Sequence, residues 1–203
     1  MKIIETRTAP NPRRVRIFLA EKGITVAYEQ RDLMAGELKD AAFTALNPLQ
    51  RVPVLILDDG TAISESVAIC RYFEEAEPAP PLFGTGPVGR AQVEMWQRRA
   101  ELGLWLAVAQ AFRHLHPKMA HLEVPQVAAW GEANKLKALE MMTMLDVQLR
   151  GNQFLAGDQY SIADITALVA IDYLKPAKIA LPEGLEGLKR WHAEVSARPS
   201  AAA

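Results

Sequence analysis

The feature that most constrains the fold of this chain is a change of sequence pattern near residue 78. Before it, short runs typical of β-strands alternate with segments whose apolar residues recur at helical spacing, and after it only helical spacing is found. Residues 78–88 begin PAPPLFGTGP, a proline- and glycine-rich stretch typical of a linker. We therefore predict an α/β domain over residues 1–77 and an all-helical domain over residues 89–203.

The sequence of the first domain predicts the element order βαβ, then α, then ββα. A turn at Asp58 to Gly60 separates the last two strands. Pro12 occupies a plausible first position of the first helix, and Gly23 is a typical stop. The predicted strands are the runs KIIET, TVAYEQRD and VPVLIL, and the predicted helices cover residues 12–22, 36–46 and 64–75.

The sequence of the second domain predicts four helices. Apolar residues from Val93 onward mark a long amphipathic helix that ends near Pro117, and Pro125 opens another that runs to about Arg150. The segment Ser161-Ile-Ala-Asp164 has the pattern of a helix-capping box and predicts the start of a third helix. Residues 185–198 supply the last one.

Charge and cysteine content exclude several classes of function. The 23 Lys and Arg residues nearly balance the 24 Asp and Glu residues, so we expect neither a nucleic-acid partner nor a membrane partner. No apolar run approaches the roughly 20 residues of a membrane span and no signal-peptide pattern is present, which favours a cytoplasmic location. The single cysteine, Cys70, excludes an internal disulfide and a multi-cysteine zinc site. Cys70 falls on the apolar face of a helix, as a buried small hydrophobe would.

Pro53 stands at the start of a run, Val54 to Leu57, that otherwise reads as a buried strand. A proline cannot donate a hydrogen bond to a sheet ladder, so it is confined to strand starts, edges and bulges. A trans Val52-Pro53 bond here would be structurally ordinary. A cis bond would turn the backbone of Val52 outward and offer one N–H and one C=O to a ligand.

These segments together resemble the cytosolic glutathione transferases over essentially the whole chain. The resemblance rests on PNPRRVRIFLAEKGI near the start, NPLQRVPVL and ISESVAICRYF at the expected mutual distance, and FLAGDQYSIADITA in the second half. It implies a thioredoxin-like N-terminal domain and an all-helical C-terminal domain. It also implies glutathione as co-substrate, with no metal and no prosthetic group, and a homodimer.

The resemblance assigns glutathione-binding roles to residues near the ends of the predicted strands. Val52, presented by Pro53, pairs its backbone with the cysteinyl part of glutathione, while Glu65 and Ser66 hold the γ-glutamyl end. A helix start attracts a carboxylate, which makes the last assignment chemically reasonable. The structural alternative is that Ser64 caps the helix and Glu65 only complements its dipole. Cations placed to meet the glycyl carboxylate, each with a solvated surface charge as the alternative, are Arg51 and Lys39.

The loop after the first strand carries the group that stabilises the glutathione thiolate in this family. Here it reads Thr6 to Pro12 and contains no tyrosine, serine or cysteine. It is most similar to bacterial groups, including the nu-like ones, that use threonine and asparagine donors. The matching residues are Asn11 and, one position out of register, Thr8. Asn11 could instead cap the first helix, and Arg13 and Arg14 would add positive potential.

Three functions are compatible with these residues. The first is a glutathione transferase that activates the thiolate for attack on a small-molecule electrophile or a hydroperoxide. The second is a glutathione-dependent disulfide reductase, in which two glutathiones supply the sulfur chemistry that the cysteine-free loop lacks. The third is a non-catalytic glutathione-binding or dimerisation module. For the transferase, the resemblance places the second substrate near Trp105, Phe112, His116 and the C-terminal helix.

Overall fold

The computed structural model describes all 203 residues and divides them into two compact units. Unit 1 consists of residues 1–81 together with the last five residues, 199–203, and unit 2 consists of residues 82–198. The division at Pro81 falls inside the stretch whose composition is typical of a linker. Each unit has its own buried apolar side chains.

Unit 1 has the element order that the sequence predicts. Its helix α1 begins at Pro10, two residues earlier than predicted, because a first-turn residue needs no N–H and Pro10 and Pro12 both fit there. A 3₁₀ turn, Glu37–Lys39, precedes α2. The other elements are β1 (Lys2–Glu5), α1 (Pro10–Glu21), β2 (Ala27–Gln30), α2 (Ala41–Leu46), β3 (Val54–Ile56), β4 (Ala62–Ser64) and α3 (Ser66–Ala76).

The four strands form one mixed sheet in the order β2-β1-β3-β4. β1 is parallel to β2, while β3 is antiparallel to both of its neighbours, β1 and β4. Since Val54 at the start of β3 is in register with both Ile4 and Ser64, the end of β1, the start of β3 and the end of β4 lie at the same edge of the sheet. The loops that follow or precede these three strand ends are therefore neighbours.

The two faces of this sheet are covered by different elements. Ile4 and Val54 pack in one cluster with Leu38, Phe43 and Val52, which come from the α2 region and the loop before β3. Because strand side chains alternate, Ile3 and Leu55 point to the other face, and both are completely buried. On that side α3 contacts β3 and β4 and packs against α1.

Unit 2 is entirely helical, as predicted. A short 3₁₀ turn, Pro117–Met119, follows the first long helical stretch. None of the helices has the length and apolar character needed to span a bilayer. The α-helices are α4 (Gly86–Arg98), α5 (Leu106–Leu115), α6 (Ala128–Gly151), α7 (Ile162–Asp172) and α8 (Glu186–Ser196).

The long helix predicted from Val93 toward Pro117 is not continuous. A π-helical segment, Arg99–Trp105, separates α4 from α5. A residue of α6 lies close to it, since a Cβ atom on Gly103 would lie 2.1 Å from Cε of Met141. A π segment carries an extra residue per turn, which apolar spacing over one or two turns does not reveal.

The start of α7 is fixed by a buried carboxylate. Ser161 and Asp164 form the predicted capping box: the Ser161 N–H and hydroxyl both donate to Oδ2 of Asp164, at 3.0 Å each. Oδ1 accepts from the Leu155 N–H and from the Trp191 indole N–H, each at 2.9 Å. Asp164 is completely buried and joins α7, α8 and the chain segment before α7. Burial raises the pKa of Asp164 to about 6 from its ordinary 3.8, although its four hydrogen bonds act in the opposite direction.

This raised pKa predicts a pH dependence of stability. The folded chain binds the Asp164 proton more tightly than the unfolded chain, so the contribution of Asp164 to stability falls as pH rises from about 4 to about 6 and is constant above. The full change is on the order of 3 kcal/mol. Urea unfolding from pH 4 to pH 7 should show the free-energy difference between the parent and Asp164→Asn shrinking through that window. A difference independent of pH would contradict it.

Candidate active site

The loop between β1 and α1 is held by its own backbone atoms and by side chains beneath it. The Arg7 N–H donates to Oε1 of Gln30 at 3.0 Å, and the Arg7 carbonyl accepts from Nη2 of Arg16 at 2.8 Å. The Thr6 hydroxyl donates to the Arg31 carbonyl at 2.7 Å, and the Ala9 N–H closes a turn onto the Thr6 carbonyl at 2.9 Å. The conformation of this loop is therefore fixed before any ligand binds.

The side chains that hold the loop meet at Glu5, the last residue of β1. The Glu5 carboxylate is completely buried, forms an ion pair with Arg16 through Oε2, and accepts from Nε2 of Gln30 at 2.7 Å through Oε1. Arg16 is also buried, although it lies on a helix. Buried charges need paired and hydrogen-bonded partners, and this pair has both.

Asn11 lies in the first turn of α1 and does not cap it. The N-cap residue is Ala9, so the capping alternative for Asn11 is wrong. Since Pro10 and Pro12 have no N–H, Asn11 supplies the only backbone donor among the first three residues of the helix. Its side-chain Oδ1 is buried and has no hydrogen-bond partner, and a buried amide without a partner is typical of a ligand site.

The three other candidates near α1, Thr8, Arg13 and Arg14, differ in their surroundings. Thr8 is exposed on the loop, one residue before the cap. Arg13 donates from Nη2 to the Ala201 carbonyl at 3.0 Å, so the C-terminal residues of unit 1 hold it. Arg14 is buried and donates from Nη1 to Oγ of Ser66 at 2.7 Å. Of the two arginines, Arg14 is thus the one that contacts a candidate binding residue.

The start of α3 carries Glu65 and Ser66, as predicted. Ser64 belongs to β4, and Glu65 is the N-cap residue without a side-chain capping bond, so the alternative in which Ser64 caps the helix is wrong. The first N–H groups of α3 are therefore available to an anion. Glu65 has φ 69° and ψ 116°, a backbone conformation that costs energy for any residue except glycine. Such strained residues cluster at ligand sites, and the Glu65 side chain is exposed.

The loop before β3 places Val52 and Pro53 beside these groups. The Val52–Pro53 peptide bond is cis, so of the two alternatives the cis bond is confirmed and the trans bond is wrong. Asn47 is buried and shapes the loop: its Nδ2 donates to the Arg51 carbonyl at 2.8 Å and its Oδ1 accepts from the Leu49 N–H at 3.1 Å.

The register of the sheet brings most of the candidate residues to one edge. Val54 is in register with Ile4 on one side and with Ser64 on the other. Pro53 immediately precedes Val54, Glu65 immediately follows Ser64, and Glu5 immediately follows Ile4. The β1–α1 loop, the cis-proline and the start of α3 therefore meet. Arg51 is exposed beside Val52, whereas Lys39 is exposed in the 3₁₀ turn before α2.

Comparison with known proteins identifies the chain. Residues 8–76 match the model of the glutathione S-transferase N-terminal domain, and residues 108–199 match that of the C-terminal domain. The chain belongs to the glutathione S-transferase family. Glutathione S-transferase 2 of Saccharomyces cerevisiae is 38% identical over 98% of this chain and 87% of the yeast protein.

Solved structures of glutathione S-transferases superpose on the whole chain. A glutathione S-transferase domain-containing protein of Marinobacter aquaeolei has a TM-score of 0.96 and is 43% identical, covering 98% of this chain and 99% of its own. Gtt2 of Saccharomyces cerevisiae has a TM-score of 0.95 and is 38% identical, and the match covers 100% of this chain and 99% of the yeast chain. The thioredoxin-like and helical arrangement predicted from the sequence is thereby confirmed, and the chain is an enzyme of the glutathione S-transferase type that uses glutathione.

The single cysteine and two of the histidines have structural contacts elsewhere in the chain. Cys70 is completely buried in α3. His114 accepts from the Val127 N–H at 3.0 Å and His116 from the Lys118 N–H at 3.2 Å, so both are used in local backbone contacts. No group of three or more His, Cys, Asp or Glu side chains is arranged to hold a metal ion.

Sequence reasoning missed the residues that support the site from below. Arg16 and Glu5 were not singled out, Gln30 and Asn47 were overlooked, and Arg14 was assigned only a diffuse electrostatic role. The burial of Arg14 could have been inferred from helical spacing, because Arg14 stands three and four positions before the apolar Ile17 and Phe18, on the buried face of α1. A charged residue on such a face requires a specific partner.

Proposed function

We propose that this enzyme binds glutathione at the edge of the sheet in unit 1 and activates its thiol for attack on a small-molecule electrophile or a hydroperoxide. The observation that carries the proposal is that the sheet brings the Asn11 side chain, whose buried Oδ1 has no partner, to the same edge as the exposed Glu65 and the uncapped start of α3. Each would interact with a different part of glutathione.

Binding is assigned by the charges of the ligand. The ammonium of the γ-glutamyl end meets the exposed Glu65 carboxylate, and its carboxylate meets Ser66 and the first N–H groups of α3. The backbone of Val52 pairs with the cysteinyl part, as the cis bond to Pro53 favours. Arg51 is assigned to the glycyl carboxylate, with Lys39 as a longer-range contributor.

Binding and turnover can be tested on the same preparation. Glu65→Ala should weaken glutathione binding by about tenfold or more in calorimetry, since one charged hydrogen bond contributes roughly 1.5–3 kcal/mol. Glu37→Ala, which removes an exposed carboxylate whose contacts lie within the β2–α2 loop, is the matched control and should bind like the parent.

The same enzyme should conjugate an aryl halide or reduce a hydroperoxide in the presence of glutathione. Turnover only of a disulfide that contains no glutathione, with two glutathiones oxidised to glutathione disulfide and two substrate thiols released, would favour the reductase. Binding without turnover on any of the three would favour a non-catalytic module.

Thiol activation is assigned to Asn11, with Thr8 in a lesser role. A free thiol has a pKa near 8.5, and a mostly ionised thiol at neutral pH requires a drop of about 2 units, or roughly 2.7 kcal/mol. A side-chain N–H from Asn11, its backbone N–H and the dipole of α1 together are of that size. The proton of the thiol is released to solvent. The thiolate sulfur then bonds to the electrophilic carbon of an aryl halide, which expels halide. With a hydroperoxide it bonds to the outer oxygen and breaks the O–O bond, which gives an alcohol and a glutathione sulfenic acid that a second glutathione converts to glutathione disulfide and water.

Asn11→Ala should therefore raise the apparent pKa of the bound glutathione thiol by about one unit and slow turnover most at low pH. Thr8→Val should have a smaller effect, because Thr8 is exposed and precedes the helix. Ultraviolet titration of the bound thiolate measures both. A raised pKa in Thr8→Val with no change in Asn11→Ala would reverse the two roles, and no change in either would place the activating donor elsewhere.

The second substrate is assigned to an aromatic cluster within unit 2. The ring of Phe112 lies 4.8 Å from that of His116 and 5.1 Å from that of Tyr173, while Trp105 lies 5.7 Å from Tyr173. Burial raises the pKa of the Tyr173 hydroxyl above its ordinary value. An apolar, aromatic electrophile suits such a surface.

The enzyme is also proposed to form a homodimer. A cavity of about 620 Å³ between α5 and α6 is bordered by the apolar residues Leu102, Leu106 and Trp130, which are about half exposed. Lys137 and Glu140, of opposite charge, line the same cavity, so a two-fold related copy could pair each with the other.

Sedimentation velocity should find a dimer for the parent and dissociation for Leu106→Lys, because a charge would be buried in the interface. Val88→Lys alters an apolar residue that is 71% exposed at the start of α4, away from this cavity, and should remain dimeric. A parent that sediments as a monomer would contradict the proposal.

A further inference from the structure

The last five residues of the chain pack on its first helix. Residues 199–203, which we call the tail segment, follow unit 2 in sequence but belong to unit 1 by their contacts. Within them, Pro199–Ala202 form a 3₁₀ turn that contacts α1. Ser200 in this turn is 6% exposed, whereas Ala202 is exposed. Chain ends are usually poorly ordered unless specific contacts hold them, so the burial of Ser200 requires such contacts.

Two hydrogen bonds attach the tail segment to the two ends of α1. Nη2 of Arg13, in the first turn of the helix, donates to the Ala201 carbonyl at 3.0 Å. The Ser200 hydroxyl donates to Oε1 of Glu21, the last residue of the helix. The tail segment therefore holds α1 along most of its length.

The first turn of α1 has few stabilising contacts of its own. Its N-cap residue, Ala9, makes no side-chain capping bond, and Pro10 and Pro12 have no N–H. The first backbone bond of the helix, from the Arg13 N–H to the Ala9 carbonyl, is long at 3.3 Å. Helix ends with so few bonds fray readily. The bond from the Arg13 side chain to the tail segment thus compensates for the missing cap.

Arg13 also needs an acceptor because of where it lies. The start of a helix carries partial positive charge, which repels a guanidinium in the first turn. The Ala201 carbonyl supplies an acceptor on the side of the tail segment. Arg13 stands two residues after Asn11, so a contact that holds Arg13 also holds the turn that carries the Asn11 side chain.

We propose that the tail segment is a clasp that positions Asn11 for thiol activation, and that Arg13 is the positioning residue through which it acts. This inference rests on the proposed function, because it takes Asn11 as the donor to the glutathione sulfur. Neither Arg13 nor the tail segment touches glutathione in this arrangement. They act by keeping the first turn of α1 in place, since a donor displaced by about 1 Å loses much of its effect on a charged atom.

Ser200→Asp tests the clasp in a chain of unchanged length. The new carboxylate would face that of Glu21, and repulsion between the two should release the tail segment from α1. Ultraviolet titration should show the pKa of the bound glutathione thiol raised by about half a unit, because the Asn11 donor is displaced and not removed. Calorimetry should show an affinity for glutathione within about twofold of the parent, since the groups assigned to binding lie on other elements.

Two further variants serve as the control and the substitute for Ser200→Asp. Ala202→Asp places the same charge on an exposed residue of the same turn and should behave as the parent in both measurements. Ser200→Ala removes only the hydroxyl that bonds to Glu21 and should raise the thiol pKa in the same direction by a smaller amount. It replaces Ser200→Asp if that variant does not fold.

A double-mutant cycle separates the position of Arg13 from its charge. Arg13→Met removes both the cation and the bond to Ala201, whereas Ser200→Asp releases the tail segment and keeps the cation. If the clasp acts through Arg13, each variant raises the thiol pKa to a similar extent, and the double variant raises it no further. Additive effects would show that Arg13 acts through its charge alone and would overturn the clasp. Arg13→Lys, which keeps a cationic donor, should restore part of the lowered pKa.

The outcomes distinguish this inference from the proposed function. A thiol pKa that rises in Asn11→Ala but is unchanged in folded Ser200→Asp and Ser200→Ala overturns the clasp and leaves thiol activation by Asn11 intact. A rise accompanied by an equal loss of glutathione affinity reflects a general effect on the fold and overturns the positioning role. A parent whose bound thiol titrates like that of free glutathione overturns the proposed activation and the inference with it.

Discussion

The buried interaction of Glu5 with Arg16 and Gln30 is the constraint on which the candidate site depends. It connects the end of β1, the first helix and the end of β2, and it holds both backbone groups of Arg7 through the same side chains. Two charges are taken out of water here, and breaking such a pair by removing one partner costs about 3–5 kcal/mol. A replacement by apolar residues of the same size would restore stability but would leave the Arg7 carbonyl without its donor. The pair thus specifies the shape of a loop, which an apolar core cannot do.

The candidate site also depends on the mixed sheet, which brings its parts together. An antiparallel β3 between β1 and β4 brings a strand start and two strand ends to one edge. The β1–α1 loop thereby becomes a neighbour of the cis-proline segment and the start of α3, although both come much later in the sequence. The donors there differ in kind: a side-chain amide, peptide groups and the uncapped turn of a helix. A ligand with a thiol, a peptide backbone and a zwitterionic end can use each of them once. Glutathione has these groups, and the family to which the chain belongs uses it.

Much of this arrangement is predictable from the sequence, because it depends on local patterns. The apolar spacing identified the α/β and all-helical parts and predicted a helix over residues 64–75, which α3 matches within two residues, and the Ser161-x-x-Asp164 pattern identified a capping box. The interruption of the long helix by a π segment was not predictable, because one extra residue shifts the apolar face only gradually. The contacts of Arg14 and Arg16 were also missed. Charged residues are ordinarily on the surface, and only the folded chain reveals which buried carboxylate or hydroxyl accepts from them.

The two prolines in the first turn of α1 have a consequence for selectivity. A helix start with several free N–H groups is a ready cradle for phosphate or sulfate, whose oxygens can accept from all of them at once. With Pro10 and Pro12 in place, α1 offers one backbone N–H, from Asn11, together with its dipole. A single sulfur atom that carries one negative charge can use one donor and the dipole fully, whereas a multi-oxygen anion would leave most of its acceptors unpaired. The abundant inorganic anions of a cell are therefore weak competitors at the end of a helix that still favours negative charge.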